Sequence, residues 1–466
     1  MLIATMLAIC AAAAPAGGIA PADAARLSYS TQRFVCLDVG ASHVVRLKDG
    51  RERRLALESV VERSDGVIAL VRRADVTVAI DGAKLALVCE PYRMPVEHDG
   101  LRLQADTTSA WTDIPGRVHF SLWDASEPIV DTDRFVFPLP AYRFLSHGTQ
   151  GHNEPVHLGD RDGDPDGQRF HHNYGFDLAG FDGKEPVASC VDGTVLYANP
   201  EDGTLAVEDA AGIVFMYGHM DSILPAVRAG AKIARGAPAG TVGRKGGSGN
   251  FSHLHVGMFL RAEDFFADRP WRAFNFYPWL VEAYRRAAGT RLMAVARPYV
   301  AALTGEKIAF DASRSLVFGS TISSCRWEFP DGPPVAGARA ERTFDAPGTY
   351  AVALRVEDAR GLRDVDFTTV RVYTRGKVEG VMPTLFLTYT PSRVIRPGDE
   401  VLFRLWPQGA EITSIRLDFG AEGAVDDVKP FATVTRRFSK PGIHIVTATG
   451  KAGALPVTQK AKVVVE

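Results

Sequence analysis

The sequence contains little cysteine, no excess of charge of one sign, and no long apolar run beyond its first residues. Five cysteines occur among 466 residues, and none stands in a Cys-x-x-Cys motif, which argues against a cysteine-built zinc site and a redox role. The 53 basic and 55 acidic residues nearly balance and form no long basic run, so no nucleic-acid partner is expected. After residue 20 no stretch is long and apolar enough to cross a bilayer, so no membrane span is expected in the mature chain.

The N-terminus is the one extended apolar segment, and it predicts export. Residues 2–20 are rich in alanine, and Ala22-Asp23-Ala24 fits the small-residue pattern of signal-peptidase cleavage. The basic residues that usually precede such a segment are missing. We therefore expect a signal peptide over residues 1–24 and a secreted, periplasmic or cell-surface protein. After export, Cys36 and Cys89 could form a disulfide.

The length predicts several domains, and the first is a β-rich module over residues 25–140. Alternating apolar runs flank Asp49-Gly50, and two more flank Asp81-Gly82. Asp-Gly between such runs is a hairpin signal. The module could position a substrate, cover an active cleft or serve as an accessory sandwich, and the sequence leaves these roles open.

The C-terminal part of the chain is an approximate repeat. The segment from Gly305 to Phe310 parallels the segment from Gly398 to Phe403. The offset of about ninety residues is the size of one β-sandwich. We therefore expect two Ig-like β-sandwiches, at residues 291–376 and 377–466.

The most informative stretch is His253-Leu254-His255, which follows a glycine-rich turn. Side chains alternate between the faces of a strand, so both histidines would share one face, roughly 6–7 Å apart, while Leu254 points into the core. Upstream, Asp177 offers a carboxylate and His219 offers a further imidazole. Two histidines and one aspartate around an open fourth position are a typical catalytic zinc set.

Several short motifs follow one another between residues 141 and 262. In chain order they are Gly175-Phe176-Asp177, Glu185-Pro186-Val187-Ala188, Asp192-Gly193-Thr194-Val195, Tyr217-Gly218-His219 and His253-Leu254-His255. In order and spacing this set resembles the lysostaphin/LytM-type zinc metallopeptidases, which have the duplicated hybrid motif fold and cleave peptide cross-links of bacterial cell walls. The resemblance implies a small β-sheet catalytic domain, which we place at residues 141–290. A helix over residues 278–288 is expected near its end, because proline suits a first helical turn and the following glycine suits a helix end.

One position departs from the family pattern. The family reads His-x-Gly-x-Asp, and counting back from Asp177 puts Asn173 where the first histidine should be. His172 lies one residue earlier and His171 two. A one-residue bulge could bring His172 onto the metal, and we prefer His172 because it needs the smaller rearrangement. The alternative is a degenerate site that lacks its first ligand.

The resemblance implies a ligand set and a mechanism. His172, Asp177 and His255 would hold Zn²⁺ and leave one position for water, whose pKa the ion lowers. No His-Glu-x-x-His motif supplies a glutamate base. His219 and His253 are the remaining candidates for general base and oxyanion stabiliser, because imidazole titrates near neutral pH. The sequence leaves open which histidine takes which role.

Two further segments carry weaker motifs. Residues of about 292–375 resemble the polycystic-kidney-disease (PKD) type of Ig-like domain, because Trp327-Glu328-Phe329-Pro330-Asp331-Gly332 stands where that family has Trp-Asp-Phe-Gly-Asp-Gly. The acidic loop over residues 162–167 fits the first half of a calcium loop. Its twelfth position is Asn173 rather than glutamate, so a solvated surface loop is the preferred interpretation.

These observations predict a mainly β protein. A LytM-type β-sheet catalytic domain would follow an N-terminal β-rich module and precede two C-terminal Ig-like β-sandwiches, with PKD-like character in both. The predicted function is that of a secreted zinc metalloendopeptidase, expected to be a monomer, that acts on peptidoglycan or on an extracellular protein substrate. The alternative is a non-catalytic cell-surface binding or regulatory protein on a degenerate peptidase scaffold.

Overall fold

A computed structural model describes residues 32–112, 116–157, 170–249, 251–267, 272–378 and 381–466, and most of them are in strands. The predicted signal peptide over residues 1–24 and the acidic loop over residues 162–167 lie outside the described residues. Within the described ranges, no helix is long and apolar enough to cross a membrane.

The N-terminal module is a pair of antiparallel sheets that face each other. Its strands are β1 (Arg33–Leu37), β2 (Ser42–Arg46), β3 (Glu52–Ser64), β4 (Val71–Ile80), β5 (Ala83–Cys89), β6 (Val96–His98), β7 (Leu101–Thr108) and β8 (Val118–Asp124). One sheet has the order β2-β3-β4-β5 and the other β1-β8-β7-β6. Side chains from both, such as Leu55, Val78, Leu103 and Phe120, fill one core.

The two predicted Asp-Gly hairpins are confirmed. Asp49-Gly50 connects β2 to β3, and Asp81-Gly82 connects β4 to β5. Asp81 and Gly82 have φ values of 49° and 88°. A two-residue hairpin turn of this kind needs positive φ at both central positions, which aspartate tolerates and glycine adopts without strain.

The predicted disulfide between Cys36 and Cys89 is wrong. Both residues are free thiols, and they lie on β1 and β5, which belong to the two different sheets of the module. Cys36 lies opposite His119 on β8, and Cys89 lies opposite Ala74 on β4. Burial, with a smaller effect from Asp106, raises the pKa of Cys36 to about 12, so the thiol is protonated at neutral pH.

The central part of the chain contains the longest run of short strands. They are β9 (Thr149–Gln150), β10 (Pro155–His157), β11 (Phe170–His172), β12 (Phe176–Ala179), β13 (Pro186–Ala188), β14 (Gly193–Asn199), β15 (Thr204–Asp209), β16 (Val214–Gly218), β17 (Ser222–Ile223), β18 (Lys232–Ile233), β19 (Pro238–Thr241) and β20 (His253–Phe259). The main sheet has the order β18-β14-β15-β16-β20-β12-β9, and a smaller sheet has the order β13-β19-β17. Strands β10 and β11 pair with each other. Apolar side chains such as Val207, Phe215 and Leu254 form the core.

Two helices follow β20 in the described part of this region, α1 (Ala262–Phe266) and α2 (Tyr277–Ala288). The predicted helix over residues 278–288 is confirmed as α2. Pro278 lies in its first turn, and Gly289 ends it in the left-handed conformation with a φ of 63°. Trp279 and Leu280 on α2 are fully buried in the core of the main sheet.

The C-terminal part forms two sandwiches that share one sheet. The strands of the first are β21 (Leu292–Met293), β22 (Val300–Leu303), β23 (Lys307–Asp311), β24 (Leu316–Val317), β25 (Ile322–Glu328), β26 (Val335–Ala336), β27 (Arg339–Thr343), β28 (Gly348–Asp358) and β29 (Arg363–Tyr373). The strands of the second are β30 (Thr384–Thr390), β31 (Glu400–Gln408), β32 (Thr413–Asp418), β33 (Ala424–Val425), β34 (Thr433–Arg437), β35 (Gly442–Ala452) and β36 (Leu455–Val465), with a 3-10 turn at Gly420–Glu422. Strand β28 pairs in parallel with β36 at Thr349 and Val457, so the sandwiches meet edge to edge. Each keeps its own core, with Trp327 fully buried in the first.

A buried arginine joins the first sandwich to the central sheet. Arg297 is 8% exposed, and its Nε lies 3.2 Å from Oδ1 of Asp366. Its Nη1 donates a hydrogen bond of 2.9 Å to the Thr149 carbonyl, and its Nη2 donates one of 2.8 Å to the His147 carbonyl. Because Thr149 belongs to β9, one guanidinium holds an edge strand of the central sheet against the first sandwich.

Removal of this guanidinium should destabilise the whole chain. Arg297→Met would leave the Asp366 carboxylate buried without its ion pair, which typically costs about 3–5 kcal/mol. The control is Arg363→Met. The Arg363 side chain is 74% exposed and lies 3.0 Å from Glu357, and such exposed pairs contribute about 1 kcal/mol or less. Urea unfolding followed by tryptophan fluorescence measures both losses. Equal losses in the two variants would contradict the anchoring role of Arg297.

A buried carboxyl lies where the second sandwich meets the central domain. Glu185 is fully buried, and its Oε2 accepts a hydrogen bond of 3.1 Å from the Thr390 hydroxyl. Among the described residues its Oε1 has no hydrogen-bond partner. Burial therefore raises the pKa of Glu185 to about 7.

The folded state should therefore lose stability as the pH rises from about 4.5 to about 7. The unfolded chain releases the Glu185 proton near the ordinary pKa of 4.5, whereas the folded chain keeps it up to about 7. In Glu185→Gln this loss is absent, so the variant should gain about 3 kcal/mol relative to wild type between pH 4.5 and pH 8. Urea unfolding across this range tests the expectation, with the exposed Glu341→Gln as control. A constant difference between wild type and Glu185→Gln would refute it.

Candidate functional site

The site is built on two neighbouring strands of the central sheet. In the register of β12 and β20, Asp177 lies opposite His255 and Ala179 lies opposite His253. The Asp177 Oδ1 lies 2.8 Å from Nδ1 of His255 and 3.6 Å from Nε2 of His253. Both imidazoles reach the same carboxylate, which confirms the prediction that His253 and His255 share a face.

Two glycines make room for the His255 ring. A Cβ on Gly175 would lie 2.4 Å from the Val256 carbonyl oxygen and 2.8 Å from His255 Nε2. A Cβ on Gly218 would lie 3.3 Å from His255 Cβ. The glycine of the Gly-x-Asp motif is therefore required by the close approach of its backbone to the imidazole.

His219 completes the cluster from the end of β16. Its ring centroid lies 4.6 Å from that of His253 and 6.1 Å from that of His255. Its Nδ1 lies 2.7 Å from the Lys245 carbonyl oxygen, and Nδ1 of His253 lies 3.1 Å from the Phe251 carbonyl oxygen. A carbonyl oxygen only accepts, so each Nδ1 carries the proton and each Nε2 keeps its lone pair.

The charges of the cluster are fixed by burial and by mutual contact. Burial raises the pKa of Asp177, but His253, His255 and His219 outweigh it and bring that pKa to about 2. Burial, with His253 and His255 next to it, lowers the pKa of His219 to about 3. Burial also lowers the pKa of His253. At neutral pH Asp177 is therefore ionised, while His219 and His253 are neutral, which is the state in which an imidazole accepts a proton.

The predicted first ligand lies in a different environment. The Nε2 of His172 lies 3.0 Å from the Val71 carbonyl oxygen on β4, and its ring packs edge-on against Trp111 at 6.0 Å. Both contacts belong to the N-terminal module. The Nδ2 of Asn173 donates a hydrogen bond of 3.3 Å to the Gln150 carbonyl, and the ring centroid of His171 lies 6.1 Å from that of Tyr174. The structure thus brings together Asp177, His219, His253 and His255, while metal binding by His172 or His171 stays a prediction.

His152 is a further histidine that sequence reasoning missed. It lies two residues after Gln150, which pairs with Asp177 in the register of β9 and β12. His152 is 3% exposed, and its Nδ1 has no hydrogen-bond partner among the described residues. Burial, followed by the effects of His255 and His172, lowers the pKa of His152 to about 3.

The donor chemistry of this cluster fits zinc, although its geometry is not closed around an ion. Among the described residues no group of three or more histidine, cysteine, aspartate or glutamate side chains is gathered for a metal. Asp177 and His255 offer one oxygen and one nitrogen 2.8 Å apart. Ligand atoms at ordinary zinc distances in a tetrahedron lie roughly 3.3 Å apart, so the pair would have to open by about half an ångström. The unpartnered Nδ1 of His152 is a suitable additional donor.

The strand architecture and the histidine–aspartate centre define the class of a LytM-type peptidase domain attached to β-sandwiches. Residues 171–265 match peptidase family M23, and residues 293–372 match the PKD domain. The chain therefore contains an M23 peptidase domain followed by a PKD domain, and the first match indicates a hydrolase of the peptidase class.

Solved structures with similar parts include single domains and whole enzymes. Lysostaphin from Staphylococcus simulans is 17% identical, and the match covers 53% of this chain and 98% of that chain with a TM-score of 0.24. A zinc-containing peptidase from Vibrio cholerae is 18% identical, with 45% and 83% covered and a TM-score of 0.21. A PKD domain from the KIAA 1837 protein is 25% identical, with 19% and 94% covered and a TM-score of 0.17. The family matches, rather than these superpositions, identify the domains.

The close packing at Gly175 gives a test of the site geometry. In Gly175→Ala the new methyl group would collide with His255, so we expect the ring to leave Asp177 and the domain to lose roughly 1–3 kcal/mol. The matched control is Gly257→Ala on the same strand as His255, where the nearest side-chain atom would lie 3.4 Å away. Imidazole NMR signals of His255 and thermal unfolding report the two effects. Unchanged His255 signals in Gly175→Ala would show that the contact is not tight.

Proposed function

We propose that this protein is an exported, zinc-dependent endopeptidase that hydrolyses peptide cross-links of peptidoglycan. The observation that carries the proposal is the buried Asp177 carboxylate, which His255 contacts at 2.8 Å and His253 approaches at 3.6 Å. The M23 family match supports the peptidase class. The LytM-type motif order supports the cell-wall substrate, and the sandwiches make an extracellular protein the second candidate substrate.

Asp177 and His255 would hold the zinc ion in this proposal. His172 is the preferred third ligand, because it needs a smaller rearrangement than His171 to take the place of Asn173, and His171 and His152 are the other candidates. The chemistry that a bound zinc ion supplies is Lewis-acid activation of a water molecule and of the scissile carbonyl. The protein contributes the ionised carboxylate of Asp177 and the imidazole of His255, which lie 2.8 Å apart and are 6% and 16% exposed.

His253 and His219 would handle the proton. Each has its Nδ1–H directed at a backbone carbonyl, so each Nε2 is available to the substrate side of the cluster. We assign proton acceptance to His253, because its Nε2 lies 3.6 Å from Asp177 and an imidazolium there would be paired with a carboxylate. His219 is then the remaining candidate for stabilising the carbonyl oxygen, a role in which its Nε2 must carry a hydrogen.

The remaining expectations fit the same proposal. Residues 1–24 would direct export, and the mature chain would act as a monomer in the periplasm, at the cell surface or outside the cell. The near balance of 53 basic and 55 acidic residues supports a partner other than nucleic acid.

The alternative is a binding or regulatory protein on a peptidase scaffold. Asn173 occupies the strict position of the first ligand, and His172 contacts Val71. Without a third ligand the centre would bind zinc weakly, and Asp177 with the three histidines around it would be a remnant of the family's chemistry.

Zinc content and cleavage separate the two functions. We expect about one zinc per chain in wild type. Loss of the ion is expected in His255→Ala and in whichever of His172→Ala, His171→Ala or His152→Ala removes the third ligand. His253→Ala and His219→Ala should keep zinc and lose roughly 10²–10⁴-fold in cleavage of a cross-linked muropeptide. His444→Ala, on the exposed surface of the second sandwich, is the control.

The opposite results are equally informative. A wild-type chain that binds no added zinc and cleaves neither muropeptides nor extracellular proteins would overturn the enzyme proposal and favour the binding scaffold. Zinc that survives His255→Ala would show that the ion lies elsewhere.

A further inference from the structure

One loop sets the orientation of both histidines that the proposed mechanism uses for proton transfer. The active-site loop, residues 243–252, connects β19 to β20; residue 250 lies outside the described residues. Its Lys245 carbonyl accepts the proton of His219 Nδ1, and its Phe251 carbonyl accepts that of His253 Nδ1. The backbone N–H of His253 closes the loop on the Gly243 carbonyl at 3.1 Å. Displacement of this loop would therefore change the tautomer and direction of both rings.

The second sandwich holds this loop from outside. The side chain of Gln408 donates a hydrogen bond of 2.8 Å to the Gly249 carbonyl. The guanidinium of Arg244 lies 5.4 Å from the Trp406 ring centroid and 5.9 Å from that of Phe431. One buried hydrogen bond and two cation–π contacts therefore join the second sandwich to the active-site loop. Together they restrict the loop more than a single contact would.

A stack of three rings continues from the sandwich to the catalytic cluster. The ring of Phe386 lies 4.1 Å from that of Phe251 at an angle of 9°, and Phe251 lies 4.2 Å from the His253 ring at 17°. Phe251 and Phe386 are 3% and 5% exposed, and with Ala179 and Trp406 they form a separate small core between the two domains. Tightly packed rings transmit a change in volume to their neighbours, so the position of Phe386 determines that of His253.

Phe386 lies on the face of β30 that is directed away from the core of its own sandwich. It lies opposite Trp406 in the register of β30 and β31, and the Trp406 indole N–H donates a hydrogen bond of 3.0 Å to the Thr388 hydroxyl. Neighbouring residues on β30, such as Leu387, point the other way into the sandwich's own core. The strand thus presents one face to its own domain and the other to the active-site loop.

We propose that Phe386 and Gln408 of the second sandwich are positioning residues of the peptidase site, which hold the active-site loop so that His219 and His253 present Nε2 to the substrate. The proposal rests on the proposed peptidase function for its kinetic consequence. Its structural consequence, the state of the two imidazoles, is independent of that function. Metal binding should be unaffected, because Asp177 and His255 lie on β12 and β20 and outside the loop.

The test compares Phe386→Ala and Gln408→Leu in the full-length chain. We expect kcat for muropeptide cleavage to fall roughly 10–100-fold, as small displacements of catalytic groups typically cause, with KM and zinc content close to wild type. Phe386→Leu, which refills much of the volume, should recover part of the lost kcat. Leu387→Ala is the matched control, since it truncates a buried apolar side chain on the same strand without touching the loop.

Imidazole ¹⁵N NMR distinguishes a positioning role from a merely structural one, because a merely structural role would leave the tautomers of His219 and His253 unchanged. Wild type should show His219 and His253 as Nδ1–H tautomers, Leu387→Ala should keep both signals, and Phe386→Ala and Gln408→Leu should lose or average them. Unchanged tautomers and kcat in both variants would overturn the positioning role. If Phe386→Ala does not fold, Gln408→Leu decides, because it removes only one hydrogen bond. If wild type cleaves nothing, the proposed function fails, and the tautomer signals alone decide this inference.

Discussion

The buried Asp177 carboxylate is the constraint around which the rest of the site is arranged. A charged carboxylate away from water is costly unless it is paired. Here His255 contacts it at 2.8 Å, and His253, His255 and His219 bring its pKa to about 2 against the effect of burial. The pairing requires β12 and β20 to be neighbours in the exact register that places Asp177 opposite His255. It also requires Gly175 to lack a side chain, because any Cβ there would occupy the space of the His255 ring.

The accessory modules lie against this centre rather than apart from it. On one side, His172 contacts the N-terminal module through Val71 and Trp111. On the other side, the second sandwich contacts the active-site loop through Phe386 and Gln408. The buried pair of Arg297 and Asp366 joins the first sandwich to β9, the strand next to Asp177. A site whose walls come from several domains depends on their docking, so its geometry is a property of the whole chain.

Much of the architecture could be predicted from local patterns. The Asp-Gly turns, the helix that begins at Tyr277, and the shared face of His253 and His255 follow from φ preferences, capping residues and strand alternation, all of which act over a few residues. The approximate repeat predicted two sandwiches, but not that β28 and β36 would merge them into one sheet. The failed disulfide has the same origin, because the sequence does not show which residues lie opposite Cys36 and Cys89. Pairing between distant segments depends on the packing of whole layers, which no short window contains.

The spacing of the motif alone does not identify the first zinc ligand. Counting back from Asp177 assumed one continuous strand with at most a bulge. In the structure β11 pairs with β10, and β12 pairs with β20 and β9, so His172 and Asp177 belong to different sheets. Asn173 lies at the junction, where its N–H donates to the Glu154 carbonyl and its own carbonyl accepts from Asn153. The spacing of the motif therefore does not fix the direction of His172, whereas His152, two residues after the Gln150 that pairs with Asp177, lies close enough to His255 and His172 for both to lower its pKa. Which residue is the third donor depends on how the β10–β11 pair packs against the main sheet. The N-terminal module contributes to this packing, because His172 on β11 contacts the Val71 carbonyl.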